Sequence, residues 1–103
     1  MAAEVLWSPQ AEEDLVEIHS FIALDNPDAA DRIVDQLRLA AELLSHQPRL
    51  CRRRAEIRPS MRILTEPPWL LLYETVPDTD EGPIRSVVIV RIIDGRRDLK
   101  NLI

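Results

Sequence analysis

The run Ser86-Val-Val-Ile-Val-Arg-Ile-Ile93 constrains this chain more than any other stretch. So apolar and β-branched a segment is what a strand buried on both faces requires. It stops at Asp94-Gly95, a turn signal in which glycine accepts backbone angles that other residues avoid. Arg96 and Arg97 follow at once, so paired guanidinium groups arrive at the edge of a core strand. Fixed basic side chains at such a place are candidates for a recognition site.

A strand buried on both faces needs layers to cover it, and the earlier residues supply them. Glu4-Val-Leu-Trp7 predicts a short first strand. Ser8-Pro9 is a helix start: serine caps free backbone N–H groups, and proline fits the first turn, where no N–H is needed. Glu12, Glu13 and Asp14 then lie near the positive end of the helix dipole. Ala11, Leu15, Ile18 and Ile22 recur at helical spacing, with Phe21 added to that face, and the helix is expected to stop near Asp25. Asn26-Pro27-Asp28 repeats the device and opens a longer helix with its apolar stripe at Ala30, Ile33, Val34, Leu37, Ala40, Ala41 and Leu44. His46-Gln47-Pro48 ends it. So short a connection between the two helices predicts an antiparallel hairpin.

Residues 49–60 are polar, arginine-rich and without period, and read as a loop. Three strand candidates follow: Met61–Leu64, Trp69–Val76 and Ile84–Ile93. Pro67-Pro68 separates the first two, and the acidic, turn-rich stretch 77–83 separates the last two, as in a hairpin. The expected fold is α+β: an N-terminal strand, an antiparallel helical hairpin, then a three-stranded antiparallel meander packed on it, all in one domain over residues 1–103.

Charge is unevenly spread along this fold. Residues 1–48 carry ten acidic and two basic side chains, whereas residues 49–103 carry eight acidic and eleven basic ones. The whole chain has a formal net charge of −5, and a protein that grips nucleic acid by its phosphates is usually basic. The asymmetry fits an intramolecular or protein–protein contact better. The single cysteine, Cys51, excludes an intramolecular disulfide and a cysteine-rich zinc site, and is read as an incidental thiol. No metal, nucleotide or organic cofactor site is visible. Neither a signal peptide nor a membrane span is recognisable, so the expected location is the cytoplasm, with no membrane partner.

Four local signals now acquire a common meaning. Trp7-Ser-Pro-Gln-Ala-Glu-Glu-Asp-Leu15, Asp25-Asn-Pro-Asp-Ala-Ala30, Leu70-Leu-Leu-Tyr-Glu74 and Arg91-Ile-Ile-Asp-Gly-Arg-Arg-Asp-Leu99 stand in the order and spacing of the RelE/ParE superfamily of bacterial toxins, and most resemble its ParE-type members. The resemblance spans nearly the whole chain. It implies the toxin of a type II toxin–antitoxin module, of the kind that stabilises plasmids or chromosomes. A cognate antitoxin would neutralise it, in a heterotetramer or larger complex. Such an antitoxin has a DNA-binding N-terminal part, so nucleic acid would be contacted mainly through it, and a C-terminal segment that folds on the toxin.

The superfamily holds two activities, RelE-like cleavage of mRNA on the ribosome and ParE-type poisoning of DNA gyrase, and fold does not choose between them. RNA cleavage by the 2′-hydroxyl needs a base, an acid and cations around the phosphate. Here the only lysine is Lys100, no tyrosine or histidine follows Tyr73, and His19 and His46 lie on the helical hairpin. Arg62, Arg91, Arg96 and Arg97 can grip a phosphate, but arginine is a poor proton shuttle. The expected activity is therefore inhibition of gyrase by binding, with no catalytic residue and with Arg91, Arg96 and Arg97 as the target contacts. A RelE-like endoribonuclease and a non-toxic antitoxin-binding protein are the alternatives.

The antitoxin is expected in an apolar groove between hairpin and sheet, or as a strand added to an open edge. Leu15, Ile18, Leu37 and Trp69 are the candidate groove residues, with Arg53 and Arg62 fixing register. Tyr73 is read as a core residue with its hydroxyl at an edge. Arg52-Arg53-Arg54 is read as a solvated loop neutralised by the acidic first half, and the histidines as surface residues.

Overall fold

The computed structural model describes residues 2–96. The chain runs β1 (Glu4–Trp7), α1 (Pro9–Ala23), α2 (Pro27–His46), β2 (Arg62–Glu66), β3 (Trp69–Val76) and β4 (Ser86–Asp94). Both predicted caps form. Ser8 Oγ accepts from the Ala11 N–H at 3.0 Å, and Asn26 Oδ1 from the Ala29 N–H at 3.1 Å. Each is followed by proline in the first turn.

The α+β class is as expected. The sheet has four strands in the order β1-β4-β3-β2. The three C-terminal strands form the antiparallel meander, and β1 joins it parallel to β4, Glu4 opposite Ser86 and Trp7 opposite Ile89. Strand limits differ slightly from the expected ones. β2 runs on to Glu66 because the Pro67-Pro68 link lets Glu66 pair with Trp69. β4 begins at Ser86, two residues late, because the hairpin loop continues to Arg85, whose N–H closes it on the Val76 carbonyl at 2.8 Å.

Between Leu72 and Tyr73 the β3–β4 register shifts by one residue, leaving Val90 as a bulge. A bulge changes which face the following residues meet. Before it, Val87 and Ile89 point at the helices; after it, Ile92 does. The main core lies between this face and the hairpin, around Leu15, Leu37, Leu44, Leu71 and Tyr73. A smaller core on the opposite face joins Met61, Ile63, Leu72 and Ile93 to Ile57. That face is covered by Ile57 from the 49–60 segment, which is an ordered succession of turns rather than a plain loop, its Arg54 N–H donating to the Met61 carbonyl at 2.6 Å.

Gly95 departs from its expected role. Its φ is not positive; the turn needs glycine because a Cβ there would lie 3.0 Å from the Pro68 carbonyl and 3.2 Å from Leu70 Cγ. The Gly95 N–H donates to that same Pro68 oxygen at 2.7 Å. Close approach of backbone, not backbone angle, selects the residue.

Candidate functional site: a groove between the first helix and the end of the last strand

β1 covers the edge of β4 only as far as Ile89, so the last residues of β4 have α1 beside them instead of a strand. Asp14 fills this position. It lies one turn along from Ala11 and one turn before Ile18, on the apolar face of the helix, and is almost completely buried. Its carboxylate accepts from the Ile92 N–H at 2.9 Å, from Arg91 Nε at 2.8 Å and from Arg91 Nη2 at 3.2 Å. One side chain thus replaces the missing strand partner and neutralises a cation, which is how a buried carboxylate becomes tolerable. The hydrogen bond to Asp14 raises the Arg91 guanidinium above its already high pKa. Ser8 completes the clamp: besides capping α1, its hydroxyl donates to the Val90 carbonyl at 2.8 Å, and its N–H donates to Ile89 O at 3.0 Å.

Beside this clamp opens a groove of about 350 Å³, lined by Glu17, Ile18 and Phe21 of α1, Trp69 of β3, and Arg91 to Asp94 and Arg96 at the end of β4. Phe21 was expected on the buried face of α1. It is 75% exposed instead, one of the most exposed large apolar residues described, together with Leu24. An aromatic left in water beside a half-buried tryptophan is the kind of surface a partner covers.

The expected site residues separate into three groups. Ile18, Trp69, Arg91 and Arg96 come together in this groove. Arg96 is bound by Asp94, Nη2 to Oδ2 at 2.7 Å, and Arg97 lies outside the described residues. Leu15 and Leu37 are corrected: they are 3% and 0% exposed and belong to the main core, because the helix faces that carry them turn toward the sheet.

Arg53 and Arg62 form the third group, away from the groove. Arg53 donates to Asp78 at 2.9 Å and to Asp80, both in the loop at the opposite end of the β3–β4 hairpin. The expected neutralisation of the 52–54 arginines by the acidic first half is therefore replaced by this loop and, for Arg54, by Glu56. Arg62 is buried, with Nη1 donating to the Cys51 carbonyl.

Tyr73 is fully buried and its hydroxyl accepts from the Cys51 N–H at 3.2 Å; burial pushes the phenol well above its ordinary pKa of 10.0. It holds its proton throughout the neutral range. His19 pairs with Asp31 at 2.8 Å, and His46 is exposed. Among the described residues, no group of three His, Cys, Asp or Glu is placed to hold a metal, and no helix is long and apolar enough to cross a membrane.

Asp14 and Phe21 were missed as site residues by sequence reasoning. The signal for Asp14 was present, a carboxylate at helical spacing within an apolar face. For Phe21 there was none, since apolar residues at neighbouring helical positions do not announce which one faces water.

Comparison with known proteins places this geometry in a family. Residues 5–99 match the model of the ParE toxin of the type II toxin–antitoxin system parDE. Toxin ParE3 of Caulobacter vibrioides is 41% identical over 56 residues, 54% of this chain and 49% of that protein, so the match spans about half of the relative's length. A solved structure of the chromosomal ParDE toxin–antitoxin system from P. aeruginosa superposes with a TM-score of 0.70 over 90% of this chain and 96% of the matched one, at 21% identity. That likeness bears on the fold, and the family model reaches from the first strand through the clamp to the tail. This chain belongs to the ParE toxin family of type II toxin–antitoxin systems.

Proposed function

We propose that this chain is a single-domain toxin that acts in the cytoplasm by binding DNA gyrase and is neutralised by a cognate antitoxin seated in the groove between α1 and β4. Family membership over residues 5–99 is the observation that carries this reading. The groove supports it by offering what a folding-on-binding segment needs: the exposed Phe21 beside the half-buried Ile18 and Trp69 as apolar anchors, and a stretch of β4 that β1 does not cover. Arg91, Arg96 and Arg97 are the proposed gyrase contacts. Since Arg91 and Arg96 line the same groove, the antitoxin neutralises by occupying the surface that the target needs. Contact with DNA comes through the antitoxin's N-terminal part, in a heterotetramer or larger complex.

Action by binding is favoured over RNA cleavage by the state of the polar side chains. Tyr73 is buried with a raised pKa, and Arg91 and Arg96 are each held by a carboxylate, which leaves no acid–base pair around a phosphate-gripping set among the described residues. Induced expression in a bacterium without the antitoxin, followed by a gyrase cleavage assay with purified protein, tests the proposal. Growth arrest with accumulated gyrase-cleaved DNA is expected. Arrest with intact DNA and mRNA cut on ribosomes would replace gyrase by the ribosome, and harmless expression with tight antitoxin binding would remove toxicity from the reading.

A further inference from the structure

The polar cluster at the far end of the sheet is separate from the groove and is not needed by the proposed function. Arg53 and Arg62 face each other across an isolated antiparallel bridge. Directly opposed residues on such a bridge carry their side chains on the same side, and like charges in that position repel. Arg62 is in addition 4% exposed, and its Nε has no hydrogen-bond partner among the described residues. Two guanidinium groups side by side, one of them buried and incompletely satisfied, need an anion nearby.

The chain supplies that anion from its own β3–β4 loop. Arg53 binds Asp78 and Asp80, and its hydrogen bond and charge hold the Asp80 carboxyl below its ordinary range, with smaller contributions from the charges of Arg62 and Arg49. Arg49 extends the cluster, donating to the Thr79 carbonyl at 2.9 Å, the Thr79 hydroxyl at 3.2 Å and the Gly82 carbonyl at 3.0 Å. The arginines therefore read a short peptide in two ways, its alternate carboxylates and its backbone oxygens. The loop itself is exposed and rests on these contacts, with Asp80 four-fifths open to water.

We propose that Arg49 and Arg53 form a binding site for an acidic Asp-x-Asp segment of a protein partner, with the buried Arg62 adding positive charge behind it, and that the chain's own loop plugs this site in the free protein. Peptide is favoured over nucleic acid as the occupant because two of the Arg49 bonds go to backbone carbonyls, acceptors that a phosphodiester strand does not offer in that arrangement. A tethered plug acts at a high effective concentration, so a partner in trans gains access only when the plug is weakened or outcompeted.

The test uses a fluorescein-labelled peptide of residues 76–83 titrated with the full-length protein, as wild type and as Asp78→Asn/Asp80→Asn. The variant is expected to bind the peptide roughly tenfold tighter than wild type, because its own plug, left with the Arg49 bonds alone, competes more weakly. Adding Arg53→Ala, or separately Arg49→Ala, returns affinity to the wild-type level, and salt weakens the variant's binding. Equal affinity of wild type and a variant shown by circular dichroism to be folded would overturn the proposal. Tighter binding of a short oligo-dT than of the peptide would overturn the choice of occupant.

Discussion

Two arginine–carboxylate clusters sit at opposite ends of the β3–β4 hairpin, and they are built from the same chemistry to different ends. At one end Asp14 is buried, takes three hydrogen bonds from β4, and has a backbone N–H among its donors. At the other, Arg53 meets Asp78 and Asp80 in partly or largely exposed positions, with no element of the core resting on them. A buried pair whose loss strands a charge and an N–H is costly to break. An exposed pair is screened by water and salt and holds little. The first cluster fixes how a helix meets a strand; the second fixes only where a loop lies, and can therefore be exchanged.

The strongest way to break this comparison is Asp14→Ala. Removing the carboxylate leaves the Ile92 N–H and the Arg91 guanidinium without their partner, and is expected to cost about 3 kcal/mol in urea unfolding. A loss under about 1 kcal/mol would place the two clusters on one footing. Gly95→Ala comes next. Its Cβ would press on the Pro68 carbonyl at the same end of the sheet, for an expected loss of about 1–3 kcal/mol in the same measurement.

Tyr73 sharpens the comparison by pH, because its hydroxyl joins the 49–60 segment to the main core. Its folded pKa lies above the unfolded value near 10, so the unfolded chain releases the phenolic proton first. This contribution is complete below about pH 10 and is lost as pH rises further. Stability should fall more steeply above that pH in wild type than in Tyr73→Phe, as measured by unfolding across the alkaline range.

Phe21→Ala separates groove from core. Stability should stay within about 0.5 kcal/mol of wild type, while antitoxin affinity falls about tenfold by calorimetric titration. Asp78→Asn/Asp80→Asn is expected to lower the folding equilibrium constant about tenfold in urea unfolding, because a plug that weakens binding in trans about tenfold stabilises the folded chain by a similar factor. A loss as large as that of Asp14→Ala would put this cluster level with Asp14.

Much of the fold was legible because its signals are local. Ser8-Pro9 and Asn26-Pro27 mark both helix starts within two residues, and the Ser86–Ile93 run marks the central strand. The meander followed from the turn residues between its strands. What stayed hidden depends on partners distant in sequence. Nothing local says that β1 will lie parallel to β4, or that Val90 will be extruded so that Ile92 replaces Arg91 on the helix side. The groove suffered for the same reason. Leu15 and Ile18 share a helical stripe, yet one is sealed under the sheet and the other reaches the groove, a division set by where α1 crosses β4. Glycine was anticipated at position 95 for its backbone freedom and is required there by crowding, since the crowding atoms belong to Pro68 and Leu70.

The parallel pairing of β1 with β4 also orders events in time. The first strand and the cap of the first helix find their partners at Ser86 to Val90, some eighty residues later in the chain. Synthesis proceeds from the N-terminus at roughly 5–20 residues per second. Until the last strand has left the ribosome, the hairpin has no sheet to pack on and Asp14 has no N–H or guanidinium to receive. Loop closure over such a distance is slow as well. The groove, made of the start of one half and the end of the other, is the last part of the described fold to form, so a nascent chain does not present it before β4 has been made.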